Sequence, residues 1–308
     1  MAILYRSDAP RAAAWSQFFA RHAPDLDFRV WPDAGNLAEI EYLIAWQAPR
    51  EFLAALPRLR VLFSSGAGVD HVDLSAMPPH VPLVRMVEPG IIDGMVEYVS
   101  LAVLALHRDF FDYVEAKTSR EWNPLEVPPA SSRTIGVMGM GVLGLAVLDR
   151  LRSYGFRLRG WNRSPRTITG VDSYAGTEKF GEFLSGCNVL VCLLPLTPST
   201  AGILNCNTFS ALPQGASIIN VGRGPQLVEA DLLAALDNGQ MSRAILDVTE
   251  TEPLPPEHPF WAHPRVFVTP HVASMTQPET AAPILLENIR RDQRNEPLVG
   301  VVDRSRGY

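Results

Sequence analysis

The sequence has very little cysteine: only Cys187, Cys192 and Cys206 in a chain of 308 residues. The count is odd and no CxxC pair occurs. That excludes a disulfide framework and gives no support to a zinc site, so no metal is expected. All three cysteines stand in apolar surroundings and read as small core residues. Also missing is a run of about 18 apolar residues, the length a membrane span requires. Positive charge is not in excess either. The formal net charge is −6, so nucleic acid is not an expected partner and any anion site must be local. The N-terminus, Met1-Ala2-Ile3-Leu4-Tyr5-Arg6, lacks the basic start and apolar stretch of a secretion signal and reads as a first strand. Together these absences point to a cytoplasmic chain with no membrane attachment.

What is present is globular: 47% hydrophobic and 19% charged residues, at a length that fits two domains of about 150 residues each. Short β-branched runs at 2–5, 28–31, 42–46, 60–64 and 83–86 alternate with helical patterns at 12–21 and 50–56. This alternation implies βαβ units and a parallel sheet. One amphipathic stretch runs from 94 to 120, with Val99, Val103, Leu106 and Phe110 at helical spacing. A proline-rich loop at 121–133 leads into a second set of strands at 134–138, 158–161, 189–194, 217–221, 244–248 and 266–269. The last helix, 278–295, comes after that second sheet is complete. It is expected to return to the first domain, which is then discontinuous.

The strongest single motif is Gly139-Met140-Gly141-Val142-Leu143-Gly144, with an apolar strand before it and a helical stretch after it. This is the setting a dinucleotide fingerprint requires. Gly139 allows the tight turn, Gly141 lets backbone approach a pyrophosphate, and Gly144 lets the helix pack on the strand. The free N–H groups at the helix start would hold the phosphate charge. A glycine-rich turn with no ligand is the plainer alternative. An Asp or Glu about 20 residues further on would bind the ribose hydroxyls of NAD. The sequence has Asn162-Arg163-Ser164-Pro165-Arg166 there instead. No carboxylate repels a 2′-phosphate, and two guanidinium groups can pair with one. NADP(H) is therefore the expected cofactor, with NAD(H) second. Arg163 and Ser164 are its main contacts, with Arg166 and Asn162 beside them; a solvated basic turn is the alternative.

Of seven histidines, six have no clear chemical partner in sequence. His271 differs, because it follows a strand, in Thr269-Pro270-His271. Arg223 and Glu252 also follow strands, and ligands bind outside the carboxyl ends of open parallel sheets. Reduction of a keto acid needs a cation for the substrate carboxylate and an acid that protonates the oxygen as hydride arrives. Arg223 suits the first role and His271 the second, since imidazole titrates near neutral pH. Glu252 is the carboxylate that would fix the ring. Singly, each residue reads more readily as structural.

These stretches, in order with Gly66-Ala67-Gly68-Val69-Asp70, Leu194-Pro195-Leu196-Thr197-Pro198, Gly222-Arg223-Gly224, Glu252-Pro253-Leu254-Pro255 and Val302–Tyr308, resemble the D-isomer-specific 2-hydroxyacid dehydrogenases. Within that family they are most similar to the bacterial type A glyoxylate/hydroxypyruvate reductases. The resemblance covers nearly the whole chain. It implies an α/β protein of two Rossmann-like domains with an interdomain active-site cleft. One is a discontinuous, flavodoxin-like substrate domain (1–97 and 276–308) and the other a dinucleotide-binding domain (98–275). It implies NADPH-preferring reduction of glyoxylate and hydroxypyruvate to 2-hydroxy acids, D stereochemistry, and a homodimer. Arg223, Glu252 and His271 would be catalytic. Gly66, Ala67 and Gly68 would offer backbone N–H groups to the substrate carboxylate, and Trp46 would line the pocket. Leu194, Pro195, Thr200, Val221 and Asp247, with Gly222 and Ala273, would border the nicotinamide and its ribose. Two other activities fit the pattern: reduction of bulkier 2-keto acids such as phenylpyruvate, or nucleotide sensing by a binding protein on the same fold.

Overall fold

Consecutive parallel strands need a crossover that returns the chain to the same end of the sheet, and a helix is the usual one. The computed structural model, which describes residues 1–307, uses helices for most of these crossovers. In chain order it has β1 (Ala2–Arg6), α1 (Ala9–His22), β2 (Asp27–Val30), β3 (Ile40–Ala45), α2 (Arg50–Ala54), β4 (Val61–Ser64) and β5 (Leu83–Val84). Two helices follow, α3 (Pro89–His107) and α4 (Phe110–Ser119). Next are β6 (Thr134–Met138), α5 (Val142–Ser153), β7 (Arg157–Asn162), β8 (Asp172–Ala175), α6 (Phe180–Leu184), β9 (Val189–Cys192) and α7 (Cys206–Ala211). The last elements are β10 (Ala216–Asn220), α8 (Glu229–Asp237), β11 (Met241–Leu246), β12 (Val266–Val268) and α9 (Pro278–Gln293).

The elements gather into two units, Met1–Ile91 with Met275–Tyr308, and Ile92–Ser274. The sequence reading sets the first boundary at 97/98, whereas it falls after Ile91, in the first turn of α3. The reason is Glu88, whose buried carboxylate accepts from the N–H groups of Gly90 (2.6 Å), Ile91 (2.9 Å) and Gln277 (3.2 Å). It holds the start of α3 and the entry to α9 in the first unit.

That first unit has a five-stranded parallel sheet in the order β2-β1-β3-β4-β5, which is the flavodoxin-like order. All six residues of β3 are buried, as a strand covered on both faces requires. Asp8 caps α1 by accepting from the N–H of Arg11, and α1 buries Trp15 and Phe19. The late helix α9 packs here: Trp15 Nε1 donates to the Pro278 carbonyl (3.1 Å), and the Tyr42 hydroxyl bonds Asp292 (2.7 Å).

The second unit has a seven-stranded parallel sheet, β12-β11-β10-β9-β6-β7-β8. From β8 this is the doubly wound order, with its reversal between β6 and β9. Side chains alternate between two cores. Leu190, Cys192, Ile218 and Leu246 face one, and Val189, Val191, Ile219 and Ile245 the other.

The 94–120 stretch is not one helix. Asp109, at φ 51°, breaks it into α3 and α4. Tertiary contacts hold α4 in its own direction: Phe111 stacks on Phe267 (3.7 Å), and Asp112 and Glu115 reach Arg243 (2.8 and 3.2 Å). By length and composition α3 is apolar enough to cross a membrane, which the search for a continuous apolar run misses. Its Val99, Val103 and Leu106 are buried in one cluster with Ile135 and Val137, as in a core helix. The strand β8 was not expected, because Asp172 and Ser173 make it too polar to stand out.

The three cysteines are not equivalent. Burial pushes the Cys187 and Cys192 thiols up to about 12, whereas Cys206 is exposed at the start of α7 rather than in the core. Only the thiolate reacts readily. We therefore expect a thiol reagent such as dithionitrobenzoate to modify Cys206 alone in the native protein and all three after denaturation. Peptide mapping of the labelled chain checks this, and native labelling of Cys187 or Cys192 would contradict it.

Candidate active site

Every strand of the second sheet runs the same way, so the loops after β6, β7, β9, β10, β11 and β12 leave from one edge. The loop after β6 is the glycine motif. Gly139 sits at φ 100°, open to glycine and strained for other residues. A Cβ on Gly144 would overlap the Gly139 carbonyl oxygen, so the close approach of α5 to the strand end requires glycine there. Gly141, the cap residue of α5, has no side chain to accept from the first N–H groups, and the first turn carries no Asp or Glu. Those N–H groups and the helix dipole are suited to meet an anion. The Met140 side chain, which the sequence reading counts among cofactor contacts, is instead buried in the core. Only its backbone remains at the loop, where its carbonyl accepts from the Arg166 guanidinium.

The turn after β7 follows directly. Arg163, Ser164 and Arg166 are exposed there, and Asn162 Nδ2 bonds the Ser164 carbonyl (3.3 Å). After β9, Thr200 Oγ1 donates to the Pro195 carbonyl (2.7 Å) and accepts from the Thr197 N–H (2.8 Å), which closes that loop on itself. Gln226, which sequence reasoning missed, is fully buried and ties this loop to the next. Its Nε2 donates to the carbonyls of Leu194 (3.0 Å) and Pro195 (3.1 Å), and its Oε1 accepts from the Arg223 N–H (2.8 Å). The only sequence signal was its place three residues after Arg223.

Arg223, Glu252 and His271 follow β10, β11 and β12, three adjacent strands. The structure brings two of them into direct contact: His271 Nδ1 lies 2.8 Å from Glu252 Oε2. Glu252 Oε1 accepts from the Thr249 N–H (3.2 Å). The Arg223 guanidinium donates to the Gly222 carbonyl (2.7 Å). His271 has φ 54°, in the left-handed region, and its N–H donates to the carbonyls of Asp247 (2.8 Å) and Thr269 (3.0 Å).

Asp247 differs from its expected place beside a ribose. It is 2% exposed. Its carboxylate accepts from the N–H groups of Val272 (2.8 Å) and Ala273 (2.9 Å) and from the Thr269 hydroxyl (2.7 Å). The geometry assigns it to the loop that carries His271. Ala273 is likewise buried in the core, with its N–H held by Asp247.

In the first unit, Trp46 follows β3 and stacks face to face on His71 (3.6 Å, 11° between planes). A Cβ on Gly66 would run into the Trp46 ring. The turn after β4 is tied down by Ser64, whose hydroxyl donates to the Gly68 carbonyl (3.2 Å) and accepts from the Gly66 N–H (3.3 Å). The expected Gly66 donor is thus engaged within its own turn.

The sequence model described as D-isomer specific 2-hydroxyacid dehydrogenase, NAD binding domain, matches residues 100–273. A glyoxylate/hydroxypyruvate reductase A of Serratia proteamaculans is 41% identical over 314 residues, covering all of both chains. The chain belongs to the D-isomer-specific 2-hydroxyacid dehydrogenases. Solved structures agree. A D-isomer specific 2-hydroxyacid dehydrogenase from Xanthobacter autotrophicus, in complex with NADPH and MES, superposes with a TM-score of 0.94 at 39% identity, covering 100% of this chain and 99% of that one. An NADPH-dependent glyoxylate/hydroxypyruvate reductase from Sinorhizobium meliloti, in complex with NADP and sulfate, gives 0.93 at 37% identity with the same coverage.

In this dehydrogenase the glycine loop is a packing constraint at Gly144 and leaves open space at Gly141. Gly144→Ala is expected to lower stability by about 1–3 kcal/mol, the cost of forcing α5 off its strand. Gly141→Ala, whose added Cβ would meet nothing within 4 Å, is expected to cost less than about 1 kcal/mol. Urea unfolding of both variants against the parent checks the order, and equal losses would contradict it.

Proposed function

We propose that this dehydrogenase reduces glyoxylate and hydroxypyruvate to their 2-hydroxy acids with NADPH. The observation that carries the reading is the His271–Glu252 bond at 2.8 Å, which holds an imidazole in one orientation after β12. With Nδ1 engaged by Glu252, Nε2 is the nitrogen that delivers a proton to the substrate oxygen. Arg223, on the neighbouring strand end, grips the substrate carboxylate and polarises the ketone. Trp46 and the turn Gly66, Ala67 and Gly68 are further proposed substrate contacts, with Ala67 and Gly68 as backbone donors. The relatives named above support the choice of substrate, since the Serratia protein carries that activity in its name.

The residues fit a dinucleotide. Gly141 leaves open space where any other residue would place a Cβ, and the N-terminus of α5 faces it. When bound, NADPH supplies the hydride. Gly139, Gly141, Val142, Leu143 and Gly144 hold the pyrophosphate, and Leu194, Pro195, Thr200, Val221 and Gly222 border the nicotinamide side. Arg163, Ser164 and Arg166, with Asn162, bind the 2′-phosphate. The NADPH and NADP seen in solved relatives support this preference over NAD(H).

We further propose that two copies associate through the second unit. Trp122 is 98% exposed, and Leu101, Phe110 and Val114 are exposed large apolar side chains of α3 and α4; such side chains are costly to leave in water. Three unpaired cysteines suit the reduced cytoplasm.

Initial rates over a panel of 2-keto acids with NADPH and NADH test the main reading. We expect glyoxylate and hydroxypyruvate to exceed phenylpyruvate in kcat/KM, and NADPH to exceed NADH. His271→Ala should lose about 10²–10⁴-fold in kcat while NADPH still binds, and Arg163→Ala should impair NADPH turnover selectively. A faster reaction with phenylpyruvate would overturn the substrate choice, and no turnover at all would favour a binding protein. For assembly, light scattering behind gel filtration should give a dimer, and Trp122→Asp should give a monomer; a monomeric parent protein refutes the dimer.

A further inference from the structure

The proposed acid His271 is carried on a segment held from two sides. From one side, Asp247 grips the N–H groups of Val272 and Ala273 and the Thr269 hydroxyl. From the other side comes α3, a helix with no residue in the site described above. The Tyr98 hydroxyl lies 2.5 Å from Thr269 Oγ1. One turn earlier, Gly94 packs on the same segment: a Cβ there would sit 3.6 Å from Ser274 Cα and 3.7 Å from the Ala273 carbonyl oxygen.

The direction of the Tyr98 bond follows from counting protons. A threonine hydroxyl has one proton to give. Thr269 gives it to the Asp247 carboxylate, which accepts at 2.7 Å. Tyr98 must therefore donate to Thr269. Burial pushes the Tyr98 phenol up to about 12, so that proton stays in place across the working range of pH. The result is a network that converges on Asp247: Tyr98 donates to Thr269 and Thr269 to the Asp247 carboxylate, which also accepts from the N–H groups of Val272 and Ala273 just after His271. Tyr98 donation polarises the Thr269 hydroxyl, so its removal weakens the Thr269–Asp247 bond that ties the segment to β11.

We propose that Tyr98 is a positioning residue for His271, acting through Thr269 and Asp247. Its hydroxyl keeps the 269–273 segment in the arrangement that lets a left-handed His271 reach Glu252. This rests on the reading of His271 as the proton donor, and the test separates the two.

Tyr98→Phe, Thr269→Val, Thr269→Ser and the double variant Tyr98→Phe/Thr269→Val are compared with the parent enzyme. Kinetics with glyoxylate and NADPH, NADPH affinity without substrate, and Tm are measured for each. Diethylpyrocarbonate labelling of the His271 peptide, followed by mass spectrometry, reports the imidazole directly. Tyr98→Phe is expected to lower kcat about three- to tenfold, as one lost hydrogen bond would. KM and NADPH affinity should stay within about twofold, and His271 labelling should rise at least about twofold as the segment loosens. Thr269→Ser should resemble the parent. The double variant should be no worse than Thr269→Val, because both changes cut one chain.

Unchanged kcat and labelling in Tyr98→Phe would overturn the inference. So would a fall of NADPH affinity and Tm in step with kcat, which marks a general structural role, or losses that multiply in the double variant. If the parent turns over no keto acid, the functional reading fails. The labelling arm then still decides whether Tyr98 positions His271.

Discussion

A buried carboxylate sets the geometry on which the rest depends. Asp247 lies at the end of β11 and accepts from two backbone N–H groups and one hydroxyl of the segment after β12. Without it the Ala273 N–H would be buried and unpaired, at about 1–3 kcal/mol, and the half-buried Val272 N–H and Thr269 hydroxyl would lose bonds to a charged acceptor. With it, the segment tolerates His271 at φ 54°, a conformation that costs a residue with a Cβ roughly 1–2 kcal/mol. Charge-assisted bonds to a carboxylate are stronger than neutral ones, so the balance favours the strained turn. The turn in turn aims Nδ1 at Glu252. A histidine on a relaxed, extended continuation of β12 would point elsewhere, and the 2.8 Å bond would be lost.

Sheet topology supplies the second constraint. Neighbouring parallel strands lie about 4.8 Å apart, and β10, β11 and β12 are neighbours. Residues a short way beyond their carboxyl ends are therefore near one another although they are far apart in sequence. The loops still need to be held, and the protein does this with buried polar side chains rather than with length. Gln226 fastens the loops after β9 and β10, and Asp247 those after β11 and β12. Each has its bonding capacity satisfied, which is what a buried polar group requires.

How much of this was legible in the sequence follows from the range of the forces involved. The glycine loop was legible because its main constraints are local: a positive φ at Gly139 and a close approach of Gly144 to the Gly139 carbonyl both disfavour any residue with a Cβ. Strands buried on both faces were legible from β-branched runs, and Arg223, Glu252 and His271 from their places after strands. The rest depends on contacts between distant segments. The break at Asp109 was invisible because Leu106 and Phe110 keep helical spacing across it, and Arg243 and Phe267, which orient α4, lie more than 120 residues away. Met140 and Asp247 were read as cofactor contacts because they stand in the right motifs. One fills the core and the other holds backbone, and motif position cannot distinguish a side chain that faces a ligand from one that faces the protein. Cys206 was read as buried from its apolar neighbours, yet helix start positions are commonly exposed, and this one is.

On the proposed reading, two anionic parts of one cofactor are met in physically different ways. The pyrophosphate meets backbone N–H groups at the start of α5, where partial charges are fixed by the helix and need no side chain. That interaction is the same for NAD(H) and NADP(H), so it gives affinity without selectivity. Selectivity must come from the turn after β7, where Asn162 stands in place of a carboxylate and Arg163, Ser164 and Arg166 are exposed. A guanidinium can meet a phosphate with two parallel bonds, and an exposed one keeps that capacity at the cost of screening by salt. Arg166 joins the two regions, since its guanidinium also bonds the Met140 carbonyl within the glycine loop. Affinity is thus built into backbone that the fold cannot easily alter, and cofactor choice into a few surface side chains that can change without disturbing the sheet.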